Sequence, residues 1–96
     1  ATTATLAGAL MSSGVTPSEV AMRMEDEQRL IHVLDELREL DREVLALRHF
    51  EGLSNLEVAQ LLGIEPSAAS RRYVRALARL QEKLRLAQVE RERRTL

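Results

Sequence analysis

Signals for both ends of one short helix lie close together in the sequence, and they constrain the fold more than any other feature. Ser54 and Glu57 have the spacing of a capping box, in which each side chain accepts a hydrogen bond from the other residue's backbone N–H. Gly63 follows an apolar pair at the position where a chain leaves a helix in the left-handed conformation. The pattern therefore predicts a short helix over residues 54–62.

A second, longer helix is predicted to begin at Pro66, because proline in the first helical turn loses no backbone hydrogen bond. Ala59 lies four residues before Gly63, and its small side chain allows the two helices to cross closely. At about 100° per residue, the apolar residues of the second helix fall in one stripe, which we predict to be buried. This stripe consists of Ala69, Tyr73, Ala76, Leu77, Leu80 and Leu84.

The opposite face of this second helix carries arginines that folding does not require. Arg71 and Arg75 lie almost diametrically opposite the apolar stripe. The flanks hold Ser67, Arg72 and Arg79, and Ser70 lies nearer the apolar edge. An exposed arginine contributes almost nothing to folding. A helix-turn-helix whose second helix presents arginines is therefore expected to contact DNA.

Charge is distributed unevenly along the chain. Residues 1–65 hold 5 basic and 12 acidic side chains, a balance of −7, whereas residues 66–96 hold 9 basic and 3 acidic side chains, a balance of +6. The formal net charge of −1 hides this difference. A basic face on the second helix is the charge pattern expected for contacts with DNA phosphates, which release counterions.

The composition favours an all-helical protein and excludes several classes of site. With 45% apolar residues but one Phe, one Tyr and no Trp, the core must consist of aliphatic residues, methionine and alanine. The lack of cysteine excludes disulfides and cysteine-ligated zinc. We find no apolar run of membrane-spanning length and no signal peptide, so we expect a soluble, cytoplasmic protein. The start at Ala1 suggests a fragment of a longer protein.

Read in order, the sequence predicts an all-α, compact four-helix domain that contains the helix-turn-helix. Thr16 and Glu19 form a second capping box, with Pro17 at the first helical position, and Asp41 is placed to cap the following helix. The four predicted helices cover residues 17–38, 42–51, 54–62 and 66–88. We expect a domain over residues 16–88, preceded by a linker or weak helix (1–15) and followed by a frayed or solvated end (89–96).

Nothing in the sequence indicates an enzyme, and no metal site or cofactor is expected. His32 and His49 lie on different predicted helices without a metal-binding pattern, and His32 is expected to pair with Glu36 one turn later. Tyr73 lies on the apolar stripe, so it is expected to be a core aromatic rather than a base-stacking residue. Ser67 and Ser70 could bond phosphates or bases, or could cap their own helix.

Three segments together closely resemble region 4 of bacterial RNA polymerase sigma factors, especially the extracytoplasmic-function type. They are Leu40–Ser54, Glu57–Ala59 and Leu62–Ile64, and Ser70–Leu77 looks like the recognition helix of that family. The resemblance covers about residues 17–86. It implies a domain that reads the minus-thirty-five promoter element in the major groove while an apolar surface holds the flap of the polymerase β subunit. An anti-sigma factor is a further partner that the resemblance implies, and residues 1–15 would be the linker from a core-binding domain.

By position in the resembling helix, base-edge contacts are expected from Ser70, Arg71, Val74 and Arg75. Phosphate contacts are expected from Ser67, Arg72 and Arg79. The chain departs from the family pattern at Glu65, where Ser or Thr is usual, and at Ala69, where a β-branched residue is common.

Two other interpretations of the sequence stay open. The output domain of a response regulator also has an Arg-Glu-Val-Leu start, here Arg42–Leu45, although such domains usually lack the Arg75-Ala76-Leu77 ending. A helical module that binds only protein could instead use the leucine stripe as a docking face.

Overall fold

Five α-helices make up the regular structure of the computed structural model, which describes residues 2–13 and 24–95. They are α1 (Thr3–Ser13), α2 (Met24–Glu36), α3 (Glu39–His49), α4 (Asn55–Leu62) and α5 (Pro66–Thr95). The described residues contain no strand, which confirms the all-α prediction. None of the helices in these two ranges is long and apolar enough to cross a membrane. The predicted capping box at Thr16 and Glu19 lies outside the described residues.

Helix α1 adds a fifth helix to the four that were predicted. Leu6, Ala7 and Leu10 are buried in the core, although residues 1–15 were interpreted as a linker or a weak helix. Few large apolar side chains mark this segment, so its periodicity is weak. The helix is stabilised by packing against α2 and α3 rather than by an evident amphipathic pattern.

The main core lies where α1, α2, α3 and α5 meet. Its buried members include Leu30, Val33 and Leu34 from α2, with Leu45 from α3 and Leu80 from α5. The predicted stripe of α5 is confirmed. Ala69, Ala76 and Leu80 are almost completely buried, and Tyr73, Leu77 and Leu84 are partly buried. Burial of each large aliphatic side chain stabilises the fold by roughly 1.5–3 kcal/mol.

The predicted cap at Asp41 was wrong. Helix α3 begins at Glu39, and Arg38 occupies the N-cap position without a side-chain hydrogen bond to the helix. Asp41 is buried within the first turn, where its carboxylate accepts hydrogen bonds from the Arg79 guanidinium on α5. A charge-assisted bond of this kind is stronger than a bond to a neutral backbone N–H. The carboxylate therefore joins two helices instead of capping one.

Helix α5 is longer than predicted. It continues to Thr95, although residues 89–96 were expected to be a frayed or solvated end. Residues 89–94 are exposed to solvent in this final part of the helix. The assignment of residues 89–96 to a frayed or solvated end stays a prediction.

Candidate nucleic-acid interface

Helix α4 has the two ends that its sequence predicts. The Ser54 hydroxyl accepts from the Glu57 backbone N–H at 3.2 Å, and the Glu57 carboxylate accepts from the Ser54 N–H at 3.0 Å. The hydrogen bond from the Ser54 backbone, aided by the bond to its side chain, lowers the pKa of Glu57. At the other end Gly63 has a φ of 68°, a left-handed conformation that favours glycine. These ends fix α4 relative to the turn that follows.

Small residues form the crossing between α4 and α5. Val58, Ala59 and Ala69 are each about 1% exposed and pack together in a second apolar cluster. Partly buried residues that pack against this cluster are Leu47, Leu53, Leu62 and Ile64. Ala69, at a position where the family that the chain resembles often has a β-branched residue, is thus closely packed against α4. The crossing holds the first turns of α5 at a fixed angle to α4.

Asn55 makes a further connection that sequence reasoning missed. Its side-chain amide donates to the backbone carbonyl of Pro66 at 2.9 Å, joining the start of α4 to the start of α5. Pro66 is the first residue of α5, as predicted, and the Ala69 N–H donates to the Glu65 carbonyl at 3.0 Å. An Asn at a helix start is usually interpreted as a local cap, so its spacing gave no signal for this longer contact.

The predicted base-contacting residues share one exposed face of α5. Ser70, Arg71, Val74 and Arg75 are all exposed, and Val74 retains 62% of its accessible surface. Ser67 and Arg72 are also exposed. Within the described residues no hydrogen bond or ion pair engages the side chain of Arg71, Arg72 or Arg75. The arrangement leaves three guanidinium groups available for an anionic ligand.

Arg79 differs from the other arginines of the predicted site. Its Nη1 donates to both carboxylate oxygens of Asp41 at 3.0 Å, and its side chain is 42% exposed while that of Asp41 is 9% exposed. Arg38 lies farther from the same carboxylate, at 3.8 Å. The assignment of Arg79 to a phosphate stays a prediction, but the structure also gives this residue a role in holding α5 against α3.

Replacing Arg79 with alanine is expected to lower the free energy of unfolding by about 2 kcal/mol, because it leaves a buried carboxylate without its main partner. Urea denaturation followed by circular dichroism measures this loss. The matched control is Arg72→Ala on the same helix, which is expected to change stability by less than about 0.5 kcal/mol. Equal effects of the two substitutions would contradict the structural role of the ion pair.

Arg48 and His49, at the end of α3, both contact Tyr73 on α5. His49 Nε2 and the Tyr73 hydroxyl share a hydrogen bond of 2.6 Å, and the Arg48 guanidinium lies 4.5 Å from the centre of the Tyr73 ring. Tyr73 is partly buried and its hydroxyl is engaged, which agrees with its predicted role as a core aromatic. The cation–π contact and the hydrogen bond both fix this ring. No sequence pattern indicated the His49–Tyr73 pair.

His49 is expected to make folding stability depend on pH. Partial burial, followed by the charge of neighbouring Arg48, lowers the pKa of His49 from its usual value of 6.5. The unfolded chain therefore binds this proton more readily than the folded protein does. The contribution of His49 to the free energy of unfolding is fully present above about pH 6.5, and it is lost as the pH falls through the lower pKa of His49 in the folded protein. Urea titrations between about pH 7.5 and 5.5 should show a shallower pH dependence for His49→Gln than for the unchanged chain. His32→Gln, at an exposed histidine, serves as the control.

Both histidines and some of the carboxylates outside the arginine face make side-chain pairs within the described ranges. His32 Nε2 lies 3.1 Å from a Glu36 carboxylate oxygen, which confirms the predicted pair. No group of three or more His, Asp or Glu side chains in those ranges could hold a metal ion. The exposed arginine face is therefore the candidate site that the geometry supports.

Comparisons with known proteins agree with this geometry. Residues 27–80, more than half of the chain, match the family described as "Sigma-70, region 4". The chain is 33% identical over 69 residues to a probable RNA polymerase sigma factor, RfaY, of Xanthomonas campestris pv. campestris. It is 34% identical over 62 residues to the RNA polymerase sigma factor SigF of Mycobacterium tuberculosis.

These matches cover most of the chain but a small part of each relative. They span 72% of the chain and 17% of RfaY, and 65% of the chain and 24% of SigF. No solved structure matches the chain significantly. The family match covers most of α2, all of α3 and α4, and the first half of α5, which include the ion pair, the capped turn and the arginine face. The chain belongs to the sigma-70 region 4 family.

Proposed function

We propose that the chain is the part of an RNA polymerase sigma factor that recognises the minus-thirty-five element of promoters in double-stranded DNA. The observation that supports this proposal best is the exposed face of Arg71, Arg72 and Arg75 on the second helix of a capped helix-turn-helix. In such motifs the second helix enters the major groove, and its first turns approach the base edges. The function is recognition during transcription initiation rather than catalysis.

The exposed residues divide by the chemistry of their side chains and their position on α5. Arg71 and Arg75 can each form two hydrogen bonds to a guanine, which gives about 1–3 kcal/mol of discrimination. Ser70 can bond a base edge, and Val74 can contact a thymine methyl group. Ser67 and Arg72, on the flanks, are assigned to phosphates, which contribute affinity without sequence preference. Arg79 is kept in this second set as a weaker candidate because Asp41 holds its guanidinium.

Core RNA polymerase is the protein partner of the proposed function. The flap of the β subunit is expected to dock on an apolar surface, and exposed apolar side chains are present on α3 and α4 outside the arginine face. They are Leu40 on α3 and Leu56 and Leu61 on α4, with Phe50 directly after α3. An anti-sigma factor could occupy the same surface. No observation favours a response-regulator output domain or a module that binds only protein.

Footprinting of the full-length protein with core polymerase tests the proposed function. We expect protection of the minus-thirty-five region, and we expect Arg71→Ala and Arg75→Ala each to weaken it about tenfold or more while relaxing sequence preference. Arg72→Ala is expected to weaken binding to all duplexes similarly and to reduce its salt dependence. Arg85→Ala is the control, since Arg85 lies farther along α5 and pairs with Glu82.

Two results would overturn the proposal. The first is a polymerase complex that shows no upstream protection. The second is protection that Arg75→Ala leaves unchanged in both extent and sequence preference.

A further inference from the structure

Beyond the arginine face, α5 carries a second stripe of side chains. Glu82, Leu86, Val89 and Arg93 follow one another at intervals of four, three and four residues, the spacing of a coiled-coil seam. All four are exposed, with Leu86 at 51% and Val89 at 37%. We call these four residues the outer seam. Apolar residues in this spacing on an exposed helix face are suited to packing against another helix.

The outer seam has a defined beginning. Continuing the same spacing toward the start of α5 leads to Arg79, which is held by Asp41, and then to Arg75 on the proposed DNA face. These positions are therefore assigned to other contacts. At 1.5 Å per residue, Glu82 and Arg93 lie about 16 Å apart along the helix axis. The seam is long enough for three turns of a second helix.

In an antiparallel pair of α5 helices, the charges of one outer seam are complementary to those of the other. If a second α5 lies antiparallel, with a two-fold axis midway between Leu86 and Val89, then Leu86 faces Val89 of the second copy. The same axis places Glu82, which also pairs with Arg85 of its own helix, opposite Arg93 of the second copy. Each of these contacts occurs twice in such a pair. Both Glu82–Arg93 contacts of this arrangement join opposite signs.

The groove beside the seam favours the same occupant. Val33 of α2 and three apolar residues of α5, which include Leu86 and Val89, line a groove of about 460 Å³. Its charged lining residues are Glu36, Lys83, Glu90 and Arg93, two acidic and two basic side chains. DNA would meet carboxylates here, and a strongly basic or acidic peptide would meet like charges. The α5 helix of a second, antiparallel copy carries both acidic and basic side chains in the opposite order along its axis, so it can place each sign opposite its complement.

We propose that the chain self-associates through antiparallel pairing of two outer seams, as a weak two-fold dimer. The contact involves two apolar side chains per copy, which is small for a stable dimer, so the dissociation constant is expected in the range of about 10–500 µM. Leu86 lies about 22 Å along the helix axis from Arg71. The dimer therefore leaves both arginine faces exposed.

Sedimentation equilibrium of the whole chain, from about 10 µM to about 1 mM, tests this proposal by charge exchange. Glu82→Arg places two arginines opposite each other, and Arg93→Glu does the same with two carboxylates, so each is expected to weaken the dimer about tenfold or more. An equimolar mixture of the two variants restores opposite signs at every 82–93 contact and is expected to associate at least as tightly as the unchanged chain. Glu43→Arg, at an exposed position of α3, is the matched control for the change in charge.

Leu86→Gln provides a second variant that does not depend on charge, and because Leu86 is exposed the fold should tolerate it. It is also expected to weaken the dimer, and circular dichroism checks the helix content of every variant. A chain that stays monomeric at about 1 mM would overturn the proposal. A dimer that survives both charge reversals, or a mixture that associates no better than either variant alone, would do the same.

Discussion

Leu80→Ala is expected to lower the free energy of unfolding by about 3 kcal/mol, the largest effect of any substitution considered for this chain. Leu80 is completely buried where α5 packs against the core formed with α1, α2 and α3. Removing its side chain loses the transfer free energy of three carbon atoms and leaves a cavity whose walls are only partly able to relax. Urea denaturation at neutral pH measures the difference.

Leu86→Ala is the matched control, since it is the same substitution six residues later on the same helix at a position that is 51% exposed. It is expected to lower stability by less than about 1 kcal/mol. If Leu80→Ala and Leu86→Ala lowered the free energy of unfolding by the same amount, the assignment of the buried face of α5 would be contradicted.

Ala59→Leu is expected to give the second largest loss, about 2–3 kcal/mol, through overpacking rather than a cavity. Ala59 is about 1% exposed and packs with Val58 and Ala69 where α4 crosses α5. A larger side chain must push the two helices apart, and the movement would shift Arg71 and Arg75 of α5 away from their proposed positions in the DNA groove. We therefore expect weaker promoter binding together with the loss of stability.

The neighbouring substitution Gln60→Leu controls for helix propensity and added apolar volume, because Gln60 is exposed on the same turn. It is expected to change stability by less than about 0.5 kcal/mol. If the Ala59→Leu variant were as stable as the Gln60→Leu variant, close packing of α4 against α5 at Ala59 would be contradicted.

Features set by local spacing could be predicted from the sequence. The capping box of Ser54 and Glu57, the left-handed Gly63 and the start of α5 at Pro66 each depend on residues within a few positions of one another. Helical periodicity likewise identified the buried stripe of α5 and the exposed arginines opposite it. Local patterns suffice here because the unpaired backbone groups at both ends of α4 are hydrogen-bonded by its own backbone and by adjacent side chains.

Contacts between residues far apart in the chain could not be predicted in the same way. Asp41 has the residue type and position of a cap, but its partner Arg79 is 38 residues away. His49 and Tyr73 are 24 residues apart, and neither has a pattern that indicates the other. Helix α1 was not predicted with assurance because its stability comes from tertiary packing more than from its own composition.

The Asp41–Arg79 ion pair has a consequence for the direction in which the arginine face points. Each residue of a helix turns by about 100° from the one before it, so rotation of α5 about its own axis would exchange the side chains presented to a DNA groove. Packing of the buried stripe opposes such a rotation, and the two hydrogen bonds of 3.0 Å from the Arg79 guanidinium to one buried carboxylate oppose it further. Asp41 therefore helps to fix the rotation of α5 from α3, and with it the set of side chains that the proposed DNA-binding face presents.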